Sequence, residues 1–188
     1  MSHIHKNTWF TLSNMLTTSR IICAPIIAFY IIHGTFSTAF IIFALAALTD
    51  TIDGRLARAR NTQTLLGQFL DPVADKVLMI TTFGALVVAQ TGMSLWFFVF
   101  LASREILLVL GAIFLLCTGR AISIQPSIWG KTTTFLQILL AGLFFLTLLT
   151  GFQSTIMTNS LLALIILFSL IAFGDYSIKG FKNNYLLQ

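Results

Sequence analysis

The chain holds six acidic residues among 188, and four of them, Asp50, Asp53, Asp71 and Asp75, fall within 26 positions. Asp50 and Asp53 are three apart and Asp71 and Asp75 four apart, so on helices each pair projects from one face. Two such faces can meet at one site. Carboxylates with no histidine or cysteine among them offer hard oxygen ligands, which suit Mg²⁺ or Mn²⁺, whereas zinc or iron would draw nitrogen or sulfur. His3, His5 and His33 lie away from the cluster, and a di-iron bundle built on Glu-x-x-His is excluded by inventory. The bland alternative is a solvated ion-pair cluster with Arg55, Arg58 and Lys76, which leaves the two-face spacing unexplained.

The elements that carry these acids are membrane spans. Hydrophobic residues make up 57% of the chain and charged ones 9%, with a mean hydropathy of +0.93; a water-soluble fold could not cover that much apolar surface. Apolar stretches long enough to cross a bilayer are expected near 16–33, 36–58, 67–89, 95–117, 132–150 and 156–175. They predict an all-α, polytopic membrane protein of six transmembrane helices forming one domain over 1–188, with a juxtamembrane N-terminus at 1–15 and a tail at 176–188. A carboxylate inside such a span costs roughly 3 kcal/mol, so four together require neutralisation, and divalent cations provide it.

Lys6, then Arg55, Arg58 and Arg60, then Arg120 and Lys131, then Lys179 and Lys182 occupy alternate connections, while the others hold no lysine or arginine. Both termini are therefore expected on the cytoplasmic side. The net charge of +5 is accounted for by loops facing anionic lipid, without nucleic acid as partner. Trp9, Phe10 and Trp96 to Phe98 are expected as interfacial anchors. The apolar run after Arg20 continues into further spans, unlike a cleaved signal peptide. Cys23 and Cys117 sit in apolar runs without CxxC pairing and are expected as small core residues. The Gly-Lys-Thr after Gln125 lacks the first glycine and the preceding strand of a phosphate-binding loop.

The stretch from Asp50 to Lys76 resembles the signature of the CDP-alcohol phosphatidyltransferases: Asp-x-x-Asp-Gly-x-x-Ala-Arg, eight residues, then Gly-x-x-x-Asp-x-x-x-Asp. Asp50, Asp53, Gly54, Ala57, Arg58, Gly67, Asp71 and Asp75 fill every fixed position. The likeness extends to Asn14, Thr17, Arg20 and Pro25 upstream and to Ser103, Arg104, Glu105, Gly130 and Lys131 downstream. It implies a six-helix membrane enzyme, commonly a homodimer, with Gly84, Ala85 and Gly111 as small residues available for helix contact. It implies that Asp50, Asp53, Asp71 and Asp75 hold two divalent ions, Mg²⁺ or Mn²⁺, against the diphosphate of CDP-diacylglycerol, and that Asp75 is the general base. Asn14, Thr17, Arg20, Gly54, Ala57, Arg58 and Gly67 are then expected to bind CDP-diacylglycerol.

Arg104 lies well inside the fourth span, where a charge reads as functional by default; the competing reading is a structural knot with Glu105. With Lys131 and Arg120 it would form a cationic pocket for an acceptor that carries its own phosphate. Ser-Arg-Glu-Ile and Gly-Lys-x-x-Thr look like the phosphatidylglycerophosphate-forming branch of the family, whose acceptor is glycerol 3-phosphate and whose other product is CMP. That branch often has a further arginine after Arg-Glu-Ile, where this chain is wholly apolar from Leu107 to Leu116. A cardiolipin-forming relative using phosphatidylglycerol remains the alternative. A cation transporter is the alternative of another class, but it would call for midplane acids, broken helices and repeated halves.

Overall fold

The structure, a computed structural model, describes residues 12–59, 65–117 and 128–185, with side chains over 17–49, 73–110 and 128–175. Among the described residues all regular structure is helical: α1 (Leu12–Ile32), α2 (Phe36–Ala59), α3 (Leu65–Val88), α4 (Leu95–Cys117), α5 (Ile128–Thr150) and α6 (Thr155–Tyr185). Each has 21 to 31 residues, enough at about 1.5 Å per residue to cross a hydrocarbon layer of about 30 Å. On described residues α5 and α6 meet the length and composition of a span in full, with shorter apolar stretches at Thr17–Ile32 and Phe36–Thr49.

The six spans expected from hydropathy match these helices closely at most ends. The exceptions are α1 and α5, which begin four residues earlier, and α6, which continues through ten residues assigned to the tail. Apolar runs mark the part of a helix that suits lipid, whereas a helix ends where its backbone bonding is capped or broken. No proline follows Asp175, and the backbone carries on.

The turns show how capping sets those ends. After α1, the Gly34 N–H donates to the Ile31 carbonyl at 3.1 Å and the Thr35 N–H to that of Tyr30 at 2.9 Å, the paired closure that requires a left-handed residue. Gly34 supplies it at φ 74°. After α3 the same pair of bonds runs from Gln90 to Val87 (3.0 Å) and from Thr91 to Leu86 (3.2 Å), but the left-handed position holds Gln90 at φ 53°. Ser154 caps α6, its hydroxyl accepting from the Met157 N–H at 3.3 Å.

The chain divides into two compact units, Met1–Ser94 and Leu95–Gln188. In the first, α1 packs against both α2 and α3. Its buried row is Thr17, Arg20, Ala24, Ile27 and Ile31, a spacing of three and four that keeps one face inward. Pro25 sits inside α1 beside that row and is exposed. From α3, Ala74, Leu78, Thr82, Phe83 and Leu86 are buried, and Thr82 returns its hydroxyl to the Leu78 carbonyl at 2.8 Å, which satisfies that buried donor. In the second unit α5 packs against α6, with Trp129 stacked on Phe168 at 5.7 Å.

Large apolar side chains are exposed along the spans, among them Ile22, Phe29, Leu45, Leu107, Leu139 and Phe173, a surface suited to lipid rather than water. Two smaller expectations need correction. Trp96 is 84% exposed, as an interfacial anchor should be, but Phe97 next to it is buried and packs near Phe100, because it lies on the inward row of α4. Cys23 is half-buried and free, while the side chain of Cys117 lies outside those described.

Candidate active site

The inward face of α1 changes character along its length. Beyond Ala24 it is apolar, and at its start it is Thr17 and Arg20, one turn apart and both buried. An arginine with 4% of its surface exposed requires a counter-charge. That charge is Asp75 of α3, whose Oδ1 accepts from the Arg20 Nη1. The two ends of the pair differ: the Arg20 side chain is 5% exposed and that of Asp75 37%. The carboxylate is therefore anchored on its Arg20 side and more than a third exposed on the other.

The other expected donor-site residues follow the same three helices. Asn14 lies in the first turn of α1; Asp50, Asp53, Gly54, Ala57 and Arg58 lie along the last part of α2; Gly67 and Asp71 lie on α3 ahead of Asp75. The side chains of these residues, and all of Arg120, lie outside the described ones. What the backbone establishes is that both aspartate pairs are helical, so each keeps its common face, and that α2 and α3 have α1 as a shared neighbour. Pro72 falls within α3 rather than at its start. Among the described residues no three histidine, cysteine or acidic side chains gather, since three of the four aspartates fall outside that set.

In the second unit the inward row of α4 runs Phe97, Leu101, Glu105, placing an acid where an apolar residue is expected. Glu105 Oε1 accepts from Arg104 Nη1 and from Gln137 Nε2 of α5 at 3.3 Å. The Arg104 and Glu105 side chains are 11% and 7% exposed, and Gln137 is buried as well. The knot between Arg104 and Glu105 is thus formed, with a third member from another helix. Lys131 is exposed, six residues before Gln137, which puts it about 9 Å along α5 and about 120° around it. It does not share the face that Gln137 turns to α4, so the described contacts do not bring Arg104 and Lys131 together.

Two features escaped sequence reasoning. The sequence points Arg20 to the nucleotide lipid alone, because a pair separated by 55 positions leaves no local trace. Gln137 was passed over, although an amide inside the apolar run of α5, one turn after the buried Thr133, was a signal that something polar faced it.

Comparison with known proteins agrees with this architecture. A family model described as CDP-alcohol phosphatidyltransferase matches residues 10–172, spanning both units. A CDP-diacylglycerol–glycerol-3-phosphate 3-phosphatidyltransferase of Aquifex aeolicus is 33% identical over 174 residues, covering 90% of this chain and 95% of its own. One of the same name from Haemophilus influenzae is 35% identical over 139 residues, covering 71% and 74%. A human cardiolipin synthase (CMP-forming) is 31% identical over 155 residues, covering 74% of this chain and 51% of its own.

Proposed function

The chain belongs to the CDP-alcohol phosphatidyltransferase family, and from that premise we propose that it transfers the phosphatidyl group of CDP-diacylglycerol to glycerol 3-phosphate, releasing phosphatidylglycerophosphate and CMP. The observation that carries the choice of acceptor is the likeness to the Aquifex aeolicus enzyme over nearly the whole of both chains. The human cardiolipin synthase is matched over only half its length.

The donor set fits a divalent cation: four carboxylates, in helical pairs on α2 and α3, with no histidine or cysteine in the sequence between them. Asp50, Asp53, Asp71 and Asp75 would hold Mg²⁺ or Mn²⁺, two ions by family likeness. When bound, such ions neutralise the diphosphate and stabilise the departing CMP. Asn14, Thr17, Arg20, Gly54, Ala57, Arg58 and Gly67 line the donor side, the guanidinium of Arg58 offering fixed donors to phosphate oxygens. The Asp75 carboxylate takes the proton of the acceptor hydroxyl as that oxygen bonds to the phosphatidyl phosphorus. The bond from that phosphorus to the oxygen of CMP breaks, and the electron pair leaves with CMP. Arg104 binds the acceptor phosphate, and Lys131, exposed and not brought to Arg104 by the described contacts, attracts it from the membrane face together with Arg120. The enzyme works from the cytoplasmic face of a bacterial inner membrane, as a homodimer by family likeness; of the small residues named for helix contact, Ala85 is already buried within the chain.

Purified enzyme is given CDP-diacylglycerol, Mg²⁺ and either labelled glycerol 3-phosphate or phosphatidylglycerol, and the lipid product is identified. Phosphatidylglycerophosphate is expected from the first mixture; cardiolipin from the second alone would replace this reading with the cardiolipin-forming one. EDTA should end CMP release and added Mg²⁺ or Mn²⁺ restore it, and turnover indifferent to EDTA would remove the metal from the scheme.

A further inference from the structure

Arg104 and Glu105 are neighbours on one helix, so their side chains leave the backbone about 100° apart. For them to pair, the long arginine must fold back along α4, and Glu105 must be held still enough to receive it. Glu105 has several rotatable bonds, and its helix offers no side chain in the row Phe97, Leu101 that can hydrogen-bond to it. A hold on it comes from α5: Gln137 Nε2 donates to the same Oε1 that accepts from Arg104. Gln137 is 3% exposed and Glu105 6%, so water does not compete strongly for either. A guanidinium has five donors, and the one spent on Glu105 fixes the direction in which the rest point.

We propose that Gln137 is a positioning residue for the acceptor: through Glu105 it sets the orientation in which Arg104 presents its remaining donors to the phosphate of the incoming alcohol. This rests on the phosphate-bearing acceptor of the preceding section and adds an uncharged residue, on a different helix, on which recognition of that phosphate depends. Without Gln137 the carboxylate turns more freely and the guanidinium follows it. Arg104 keeps its charge and loses its aim. The loss falls on acceptor binding and leaves the phosphatidyl donor untouched.

The test compares wild type with Gln137→Met, which keeps length and apolar volume but cannot donate. The apparent KM for glycerol 3-phosphate should rise about tenfold, the worth of one hydrogen bond to a charged group, with kcat and the KM for CDP-diacylglycerol within about twofold. Gln137→His, whose Nε2 reaches about as far as the glutamine amide, should recover most of the affinity. KM is a property of the molecules that fold; were the methionine variant to yield none, Gln137→Asn, with its amide withdrawn by one methylene, carries the same expectation. An unshifted KM for glycerol 3-phosphate, or an equal rise in both KM values, would mean that Gln137 merely packs α4 on α5, and would overturn the proposal alone. Wild-type enzyme that makes no product from glycerol 3-phosphate would overturn it together with the reading it rests on.

Discussion

Arg20 and Asp75 form an unequal pair, and the inequality predicts how each responds to substitution. Asp75→Ala strips the carboxylate from a guanidinium that is 5% exposed, whereas Arg20→Met leaves a carboxylate more than a third open to its surroundings. Losing one partner costs most when the survivor is buried. Thermal unfolding in detergent should therefore fall by several degrees more for Asp75→Ala than for Arg20→Met. Activity sorts differently. Asp75→Asn should cut CMP release by about 10²–10⁴-fold, the usual share of general-base catalysis, while CDP-diacylglycerol still protects the variant against heat. Full turnover by that variant would dismiss Asp75 as the base. At this scale the aspartates were legible from spacing, since a period of three or four states a shared face on its own. The counter-charge was not: Arg55, Arg58 and Lys76 stand close in sequence, but Asp75 is joined by Arg20, which only the packing of α1 on α3 brings near.

Helix ends are where sequence and structure part most. Hydropathy located all six helices and missed by four residues the starts of α1 and α5, because polar residues such as Asn14 and Lys131 lie within helices whose apolar stretches begin later. Both turns were readable, near Gly34 after α1 and from position 90 after α3; what the sequence does not show is that the left-handed residue after α3 is Gln90 and not a glycine. A side chain costs roughly 1–2 kcal/mol in that conformation, offset in part by the entropy glycine loses on folding. Gln90→Gly should accordingly raise stability by about 0.5–1 kcal/mol, and Gly34→Ala lower it by about 1 kcal/mol. Denaturation midpoints of the two variants, measured side by side, should move in opposite directions. A common direction would mean that the turns are not governed by φ.

For the molecule as a whole, the proposed orientation, argued from arginine and lysine, predicts that the turn between α5 and α6 lies on the side away from the cytoplasm. Phe152 in that turn is exposed. With Cys23 and Cys117 replaced, Phe152→Cys in intact cells should react with a thiol reagent that cannot cross the membrane; labelling only after lysis would invert the topology. The number of spans was legible because apolar length is a direct consequence of bilayer thickness. The grouping of α1–α3 and α4–α6 into separate compact units was not, since it depends on which faces meet, and several of those faces are apolar all round. The length of α6 has a practical consequence. Its 31 residues extend about 46 Å, some 15 Å more than the lipid interior requires, an excess of about three turns of helix. A fluorescent or affinity module joined after Gln188 would be carried off the headgroups, with no added spacer and with the catalytic helices left undisturbed.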